Sequence, residues 1–79
     1  MRYRILYFAS LRDAAGCNAE DVESAHADAR ALYAELSERH RIGLSIARVR
    51  VAINGEFADW DRPLADGDEI AFLPPVSGG

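Results

Sequence analysis

Lysine is absent from this sequence. All nine of its Lys-plus-Arg residues are arginines, and with thirteen acidic residues the net charge is −4 at pH 7. A chain without ε-amines cannot be joined to copies of itself through side-chain isopeptide bonds. Nucleic acids and anionic membranes are bound by basic surfaces, which this charge balance does not favour. We therefore expect neither a nucleic acid nor a membrane as a partner.

Cysteine and long apolar runs are also scarce. Cys17 is the single cysteine, so no disulfide framework is expected, and without a neighbouring base it is predicted to be a structural or incidental thiol. No segment approaches the ~20 apolar residues of a membrane span. Arg2 and Arg4 interrupt the only apolar run near the start, so no signal peptide is predicted. We expect a cytoplasmic protein.

No internal catalytic or metal-binding set is recognisable. His26 and His40 flank a predicted helix, too far apart for a zinc pair and without a second pair of ligands. The acidic run Asp66, Asp68 and Glu69 lacks the spacing and ligand number of a calcium loop. We predict a plain turn there and no metal site.

The size and composition of the chain indicate one small folded domain. The 79 residues are 49% apolar and 28% charged, which is ordinary for a globular protein. We assign residues 1–79 to a single domain. A domain of this size buries only roughly 60% of its unfolded surface, so some apolar surface is expected to remain exposed for a partner.

The spacing of apolar residues predicts five strands and two helical segments. Strands show alternation with a period of two, and the main helix shows an apolar stripe at i, i+3, i+4 and i+7. The segments are strand 2–9, helical turn 10–15, a short strand around Val22, helix 28–39, and strands 48–53, 56–58 and 69–73.

Local signals mark where these segments begin and end. Ser10 is predicted to cap the short helical turn and Gly16 to stop it, while Asp28 is predicted to cap the main helix and Gly43 to end it. Asn54-Gly55 is typical of a two-residue hairpin turn. Further along, Gly67 is predicted to supply a positive φ, and Trp60 to cover the core rather than stack on a ligand.

This order of elements favours an α+β fold of the ubiquitin-like, β-grasp kind. The hairpins would be antiparallel, and the first and last strands would pair in parallel at the centre of a mixed sheet curled around one main helix. The pattern alone leaves other α+β arrangements open.

The last residues, which we treat as a flexible tail (74–79), carry the one feature that suggests chemistry. The pair Pro74-Pro75 stiffens the root of the tail, Val76-Ser77 follow, and Gly78-Gly79 end the sequence. A tip without Cβ atoms can enter a narrow channel, and its carboxylate becomes reactive once activated. A frayed tail without function is the alternative.

Three segments carry a family resemblance. Residues 5–12 (ILYFASLR) with Gly16, residues 51–54 (VAIN) and residues 64–79 (LADGDEIAFLPPVSGG) resemble the MoaD-type sulfur carriers, the small subunits of molybdopterin synthase. The resemblance covers essentially the whole chain, and the PPVSGG ending after DGDE is its most specific part. Leu73 departs from the family, which often has an aromatic residue at this position.

The resemblance implies a function carried by the tail. Gly79 would be adenylated with ATP by a ubiquitin-activating-like enzyme, converted to a thiocarboxylate by a sulfur donor, and used by the large synthase subunit to sulfurate cyclic pyranopterin phosphate. The residues before it, Gly78, Ser77, Val76, Pro75 and Pro74, would thread into the partner. No cofactor would be bound permanently, and the catalytic groups would lie in the large subunit, so whether the chain alone counts as an enzyme stays open.

Other functions remain open. A carrier of the thiamine pathway and a ubiquitin-like protein modifier would use the same tail chemistry, whereas a non-catalytic β-grasp binding module would have an inert tail. Replacing a terminal glycine by alanine would distinguish these functions, because only a protein whose tail reacts should lose all function.

A docking surface is also predicted. Phe8, Phe57 and Leu73 fall on the strand face opposite the helix, and exposed apolar patches commonly mark partner sites. The alternative is a minor second core under a loop. The acidic residues 66–69 are predicted to form a rim near the tail root that steers a basic partner.

Overall fold

A computed structural model of the chain describes residues 1–75. Its elements are β1 (Arg2–Tyr7), α1 (Ser10–Ala15), β2 (Ala19–Glu23), α2 (Ala29–His40), a 3-10 helix (Ile46–Arg48), β3 (Arg50–Ile53), β4 (Glu56–Ala58) and β5 (Glu69–Leu73). The five strands form one sheet in the order β2-β1-β5-β3-β4. The fold is a ubiquitin-like β-grasp, as the order of elements predicted.

The sheet is mixed, with its parallel pair at the centre. β1 and β5 run parallel, with Ile5 beside Ile70 and Tyr7 beside Phe72. The β1–β2, β3–β4 and β3–β5 pairs are antiparallel. Parallel strands need a long connection between them. Here the chain between β1 and β5, which includes α2, is that connection.

Helix α2 covers the inner face of the sheet. The Asp28 carboxylate accepts a hydrogen bond from the Ala31 amide at 2.8 Å, which confirms the predicted cap. The predicted stripe is buried, and consists of Ala29, Leu32, Tyr33 and Leu36. The helix ends at Arg41 with a φ of 54°, not at Gly43. Arg41 adopts the left-handed conformation although it is not a glycine, and its amide bonds back to the helix at Glu38, so the prediction of Gly43 was wrong.

The cap of α1 also differs from the prediction. Ala9, with φ 51° and ψ −125°, holds the cap position, and Ser10 is the first helical residue. The chain turns sharply out of β1 at Ala9, so the cap comes one residue before the expected one and no side chain bonds it. Gly16 ends the helix at φ 79°, as predicted.

The turns follow the glycine and asparagine signals. Asn54 and Gly55 have φ values of 53° and 86°, and they join β3 to β4 in the predicted two-residue hairpin. Gly67 has a φ of 88°, which also confirms the prediction. Positive φ at successive hairpin residues matches the right-handed twist of the strands.

An aromatic cluster closes the core beside α2. Trp60 stacks on Phe72 with ring centroids 6.0 Å apart and an interplanar angle of 10°. The Tyr33 ring lies 5.4 Å from Trp60 and 5.1 Å from Phe72. Trp60 therefore covers the core, as predicted. Within residues 1–75, no helix is long and apolar enough to cross a membrane.

Candidate functional site

The outer face of the sheet, which no helix of residues 1–75 covers, carries an apolar groove of about 270 Å³. We call it the outer groove, and define it by its lining residues Leu6, Phe8, Ala52, Gly55, Phe57, Glu69, Ala71 and Leu73. The residues Phe8 and Phe57 are 45% and 60% exposed. The three predicted docking residues, Phe8, Phe57 and Leu73, are thus brought to one surface.

Strand register explains why this surface is concave. Leu6 pairs with Ala71, Ala71 with Ala52, and Ala52 with Phe57. One row across four strands therefore places two alanines between a leucine and a phenylalanine. Alanine ends at Cβ, so the two middle positions form a shallow floor between larger walls. Leu6, Ala52 and Ala71 were missing from the predicted patch, although the period-two alternation of their strands already placed them on this face.

The groove ends at the root of the tail. Leu73 is its last residue along β5, and Pro74 and Pro75, partly exposed and exposed respectively, follow directly. Neither proline can donate to a sheet ladder, so the strand stops where the groove stops. The predicted tail residues Val76, Ser77, Gly78 and Gly79 lie outside the described residues.

The acidic run lies at the opposite end of β5 from the tail root. Glu69 begins β5 and Leu73 ends it, a separation of about 13 Å at the usual rise per strand residue. The prediction of an acidic rim near the tail root was therefore wrong. The prediction failed because the acidic residues and the tail root are close in sequence but are separated in space by the full length of β5.

Two of these acids stabilise turns. Asp66 Oδ1 accepts from the Arg2 amide at 2.6 Å. Asp68 accepts from the Ala65 amide at 2.8 Å and from the Asn54 side chain at 2.9 Å. Those two hydrogen bonds hold the pKa of Asp68 below its ordinary value. The prediction of a plain turn is confirmed.

A basic residue lies at the tail-root end instead. Arg50 is exposed and is the Cα partner of Leu73 across β3 and β5. Its guanidinium carbon lies 4.2 Å from the centre of the Phe57 ring, a geometry typical of a cation–π contact. Sequence reasoning did not select Arg50, although its place before Val51 in an alternating strand predicts an outward side chain.

A polar cluster joins β1, β2 and the end of α2 on the inner face of the sheet, which is the face that α2 covers. Glu20 Oε2 accepts from the Tyr7 hydroxyl at 2.6 Å, and His40 Nε2 lies 2.6 Å from the same oxygen. Partial burial raises the pKa of Glu20, but the hydrogen bonds from Tyr7 and His40 outweigh it, and the net pKa is lowered. No sequence signal pointed to this cluster, because its members are far apart along the chain.

The structure also shows the surroundings of the single cysteine and of the two histidines. Burial, and then the nearby Glu20 charge, raise the pKa of the Cys17 thiol, which keeps it from becoming a reactive thiolate. His26 lies 3.6 Å from Glu35, away from His40 and its partner Glu20. Within residues 1–75, no group of three or more His, Cys, Asp or Glu residues could hold a metal ion.

The chain is similar in sequence and in structure to small proteins of known name. The profile of the ThiS family matches residues 5–79. The molybdopterin synthase sulfur carrier subunit of Escherichia coli is 37% identical over 79 residues, covering 96% of this chain and 98% of the relative. The small archaeal modifier protein 1 of Haloferax volcanii superposes with a TM-score of 0.82 at 29% identity, over 100% of both chains.

A solved complex is also similar. It joins subunits 1 and 2 of the molybdopterin-converting factor from Helicobacter pylori, and its matching chain has a TM-score of 0.72 at 28% identity, with 100% of both chains covered. That relative is therefore seen bound to a second protein.

Proposed function

The chain belongs to the ThiS family, and from this premise we propose that it is the sulfur carrier subunit of molybdopterin synthase. The single observation that carries the proposal is the course of β5, whose outer side forms the outer groove and whose end passes directly into Pro74-Pro75. A partner seated on the groove would lie beside the root of the tail. Docking and delivery of the tail would then be one event.

The proposed chemistry takes place at Gly79, which we take to be the C-terminal residue. Its carboxylate attacks the α-phosphorus of ATP and pyrophosphate leaves, which gives an acyl-adenylate. A sulfide-level donor then attacks the acyl carbon and AMP leaves, so one oxygen is replaced by sulfur. In the synthase, the thiocarboxylate sulfur attacks a carbon of cyclic pyranopterin phosphate, and a carbon–oxygen bond at that carbon breaks with the oxygen as the leaving group. Water then cleaves the acyl–sulfur bond, which restores the carboxylate of the carrier and leaves a thiolate on the pterin.

Three partners follow from this chemistry. An adenylating enzyme related to ubiquitin-activating enzymes binds ATP, a sulfur donor supplies sulfide-level sulfur, and the large synthase subunit holds the acceptor. The bases and phosphate-binding groups belong to these partners, and the carrier holds no permanent cofactor. The proposal places all of these steps in the cytoplasm.

Intact mass spectrometry tests the proposal. The chain is incubated with ATP, a competent activating enzyme and a sulfur source, and its mass should rise by the difference between sulfur and oxygen, located in the C-terminal peptide. Purified large subunit and cyclic pyranopterin phosphate should then return the original mass and yield molybdopterin. A variant that lacks Gly79 should do neither, with an unchanged thermal midpoint. An unmodified C-terminal peptide in the full-length chain would rule the proposal out.

The width of the tail can be tested separately. Gly78→Val adds a β-branched side chain and should block entry into a narrow channel, whereas Ser77→Ala removes one oxygen and should be mild. Both variants keep the charge of the tail. Normal molybdopterin formation by Gly78→Val would contradict the narrow-channel argument.

A second candidate function is protein modification. It is favoured by the similarity to the small archaeal modifier protein. The initial adenylation is common to both functions, so the acceptor decides between them. Adducts between Gly79 and lysines of other proteins would support the modifier, and sulfur transfer to the pterin without adducts would support the carrier. A thiamine-pathway carrier would instead load normally but fail with the large synthase subunit.

A further inference from the structure

We propose that Arg50 and Glu69 mark the two oppositely charged ends of the outer groove and fix the direction in which a partner docks, with Arg50 receiving a carboxylate of the large synthase subunit beside the tail root. This inference rests on the proposed function for the identity of the partner. It adds to that function an electrostatic requirement that the apolar surface alone does not impose.

Arg50 is held beside the root of the tail. It lies opposite Leu73, at the end of β5 from which the tail leaves. The contact with Phe57 at 4.2 Å holds the guanidinium against one wall residue of the groove. Arg50 itself lines a neighbouring surface pocket that shares Phe57 with the groove. A guanidinium that stacks on an aromatic face still presents its N–H donors at the edge, where a carboxylate can take two of them.

Arg50 has no salt-bridge partner in the described chain. Within residues 1–75, no carboxylate lies within salt-bridge distance of Arg50. Arg4 on the same outer face is different, because it pairs with Asp21 at 3.4 Å. The charge of Arg50 is thus positioned by an aromatic ring and forms no salt bridge within the described chain. Asp59 and Asp61 line the same pocket as Arg50, and Asp61 is paired with Arg30.

The opposite end of the groove is acidic. Glu69 is a lining residue there, and in the described part of the chain its carboxylate also has no basic partner within salt-bridge distance. Its Cα neighbour in β1 is Arg4, whose guanidinium is directed to Asp21 instead. An arginine therefore lies beside the tail-root end of the outer groove, and a glutamate lines the groove about 13 Å away along β5.

The reach of the tail identifies which negative group meets Arg50. Residues 74–79 span at most roughly 20 Å when fully extended. In a tail that enters the partner's channel extended, as the Pro74-Pro75 root favours, the reacting carboxyl group of Gly79 would lie well away from Arg50. A phosphate of the nucleotide or of the pterin would be near Gly79, not near Arg50. The acid that faces Arg50 therefore belongs to the protein surface around the entrance of the partner's channel.

The two charges give the partner a preferred orientation on the groove. Burial of apolar surface is non-directional, and a row such as Leu6–Ala71–Ala52–Phe57 can be covered from either side. Opposite charges at the two ends favour one orientation and oppose the reverse one. In the favoured orientation, the entrance of the partner's channel meets the tail root.

The experiment measures the affinity of the full-length chain for the purified large subunit by calorimetry. Arg50→Glu should weaken binding by roughly tenfold or more, because a like-charge contact replaces an opposite-charge one. Arg4→Glu is the matched control, with the same change in net charge, on the same face, at the other end of the groove. It should change the affinity by less than about threefold, since only a surface charge away from the tail root is altered.

A charge swap separates polarity from net charge. The double variant Arg50→Glu/Glu69→Arg has the net charge of the original chain but reversed polarity, and it should bind at least as poorly as Arg50→Glu. Recovery of full affinity in the double variant, or an equal loss in Arg4→Glu, would mean that only overall charge matters and would overturn the proposal.

Salt and folding controls complete the test. The loss caused by Arg50→Glu should shrink as ionic strength rises, because exposed charges are screened. A loss that is independent of salt would show that Arg50 acts by packing on Phe57, and would also overturn the proposal. Thermal melts verify that each variant is folded. Failure of the proposed function is recognised separately, as absence of sulfur loading in the unaltered chain, whatever the effect of Arg50.

Discussion

The two faces of the sheet differ more in what covers them than in what they are made of. Along β5, Ile70 and Phe72 are fully buried beneath α2. Ala71 and Leu73 alternate with them on the other face and remain partly exposed. The same alternation holds in β1, where Tyr7 is buried and Leu6 is partly exposed, and it continues to Phe8, directly after the strand, which is 45% exposed.

This difference shows how a small domain divides its apolar residues between two tasks. One helix of twelve residues covers one face, and in the described chain no second helix covers the other. The inner residues therefore supply stability, because their burial is complete within the domain. The outer residues are not completely buried within the described chain, so their apolar area is available for contact with a partner.

The largest expected effect is on the inner face. Phe72→Ala should lower the free energy of unfolding by about 3–5 kcal/mol, because it leaves a cavity and removes the aromatic contacts with Trp60 and Tyr33. Thermal and denaturant melts followed by circular dichroism would measure it. A loss below that of an outer-face substitution would contradict the division between the faces.

The next effect is on the outer face, and concerns binding more than folding. Phe8→Ala and Leu73→Ala should each weaken binding to the large subunit by about 1–3 kcal/mol, as for central anchors of an interface. Leu36→Ala, on the buried stripe of α2, is the stability control and should destabilise the domain more than either. Should Phe8→Ala unfold the domain and yet bind normally where folded, Phe8 belongs to a core and the docking surface lies elsewhere.

The sequence predicted most of the fold because its signals are local and agree with one another. The buried stripe of α2, the Asn54-Gly55 turn and the alternation in β5 each depend on residues within a few positions. The two incorrect helix limits have a different origin. Ala9 and Arg41 adopt positive φ although neither is a glycine, so the local preference for Ser10 and Gly43 was overridden by the path of the chain between packed elements.

The candidate site was predictable only in part, for a related reason. Strand alternation is sufficient to place Phe8, Phe57 and Leu73 on one face. The positions of Arg50 and Glu69 at opposite ends of the groove depend on the direction and register of paired strands, which the pattern does not specify. The contact of Tyr7 with Glu20 and His40 depends on three elements and their packing, and therefore had no local signal.

A smaller effect concerns the polar contact at the edge of the inner face. The folded state holds the pKa of Glu20 below its ordinary value of 4.5, so the ionised carboxylate stabilises the fold. This contribution is complete above about pH 4.5, the unfolded value, and is lost as the pH falls through the lower folded pKa. Glu20→Gln should therefore cost about 1 kcal/mol at neutral pH, because a hydrogen bond to a charged acceptor is weakened.

Melts of the unaltered chain and of Glu20→Gln across the acid range test the direction of this pH dependence. The difference in unfolding free energy should narrow as the pH falls below 4.5, since protonation makes Glu20 resemble the glutamine. Tyr7→Phe is the matched variant, as it removes the hydroxyl that donates to Glu20 and keeps the ring in the core. A difference that stays constant with pH would mean that Glu20 acts through packing alone.

The smallest expected effect tests whether charges on the outer face contribute to folding at all. Arg4 and Asp21 lie 3.4 Å apart with side chains 57% and 76% exposed, so water and salt screen their attraction and their ordering costs side-chain entropy. Arg4→Gln should change the unfolding free energy by less than about 0.5 kcal/mol, and adding salt should alter the two proteins equally. Denaturant melts at low and high ionic strength provide the measurement. A larger, salt-sensitive loss would show that the outer face stabilises the fold through its charged rim, and the separation of stability from binding would then hold only for its apolar residues.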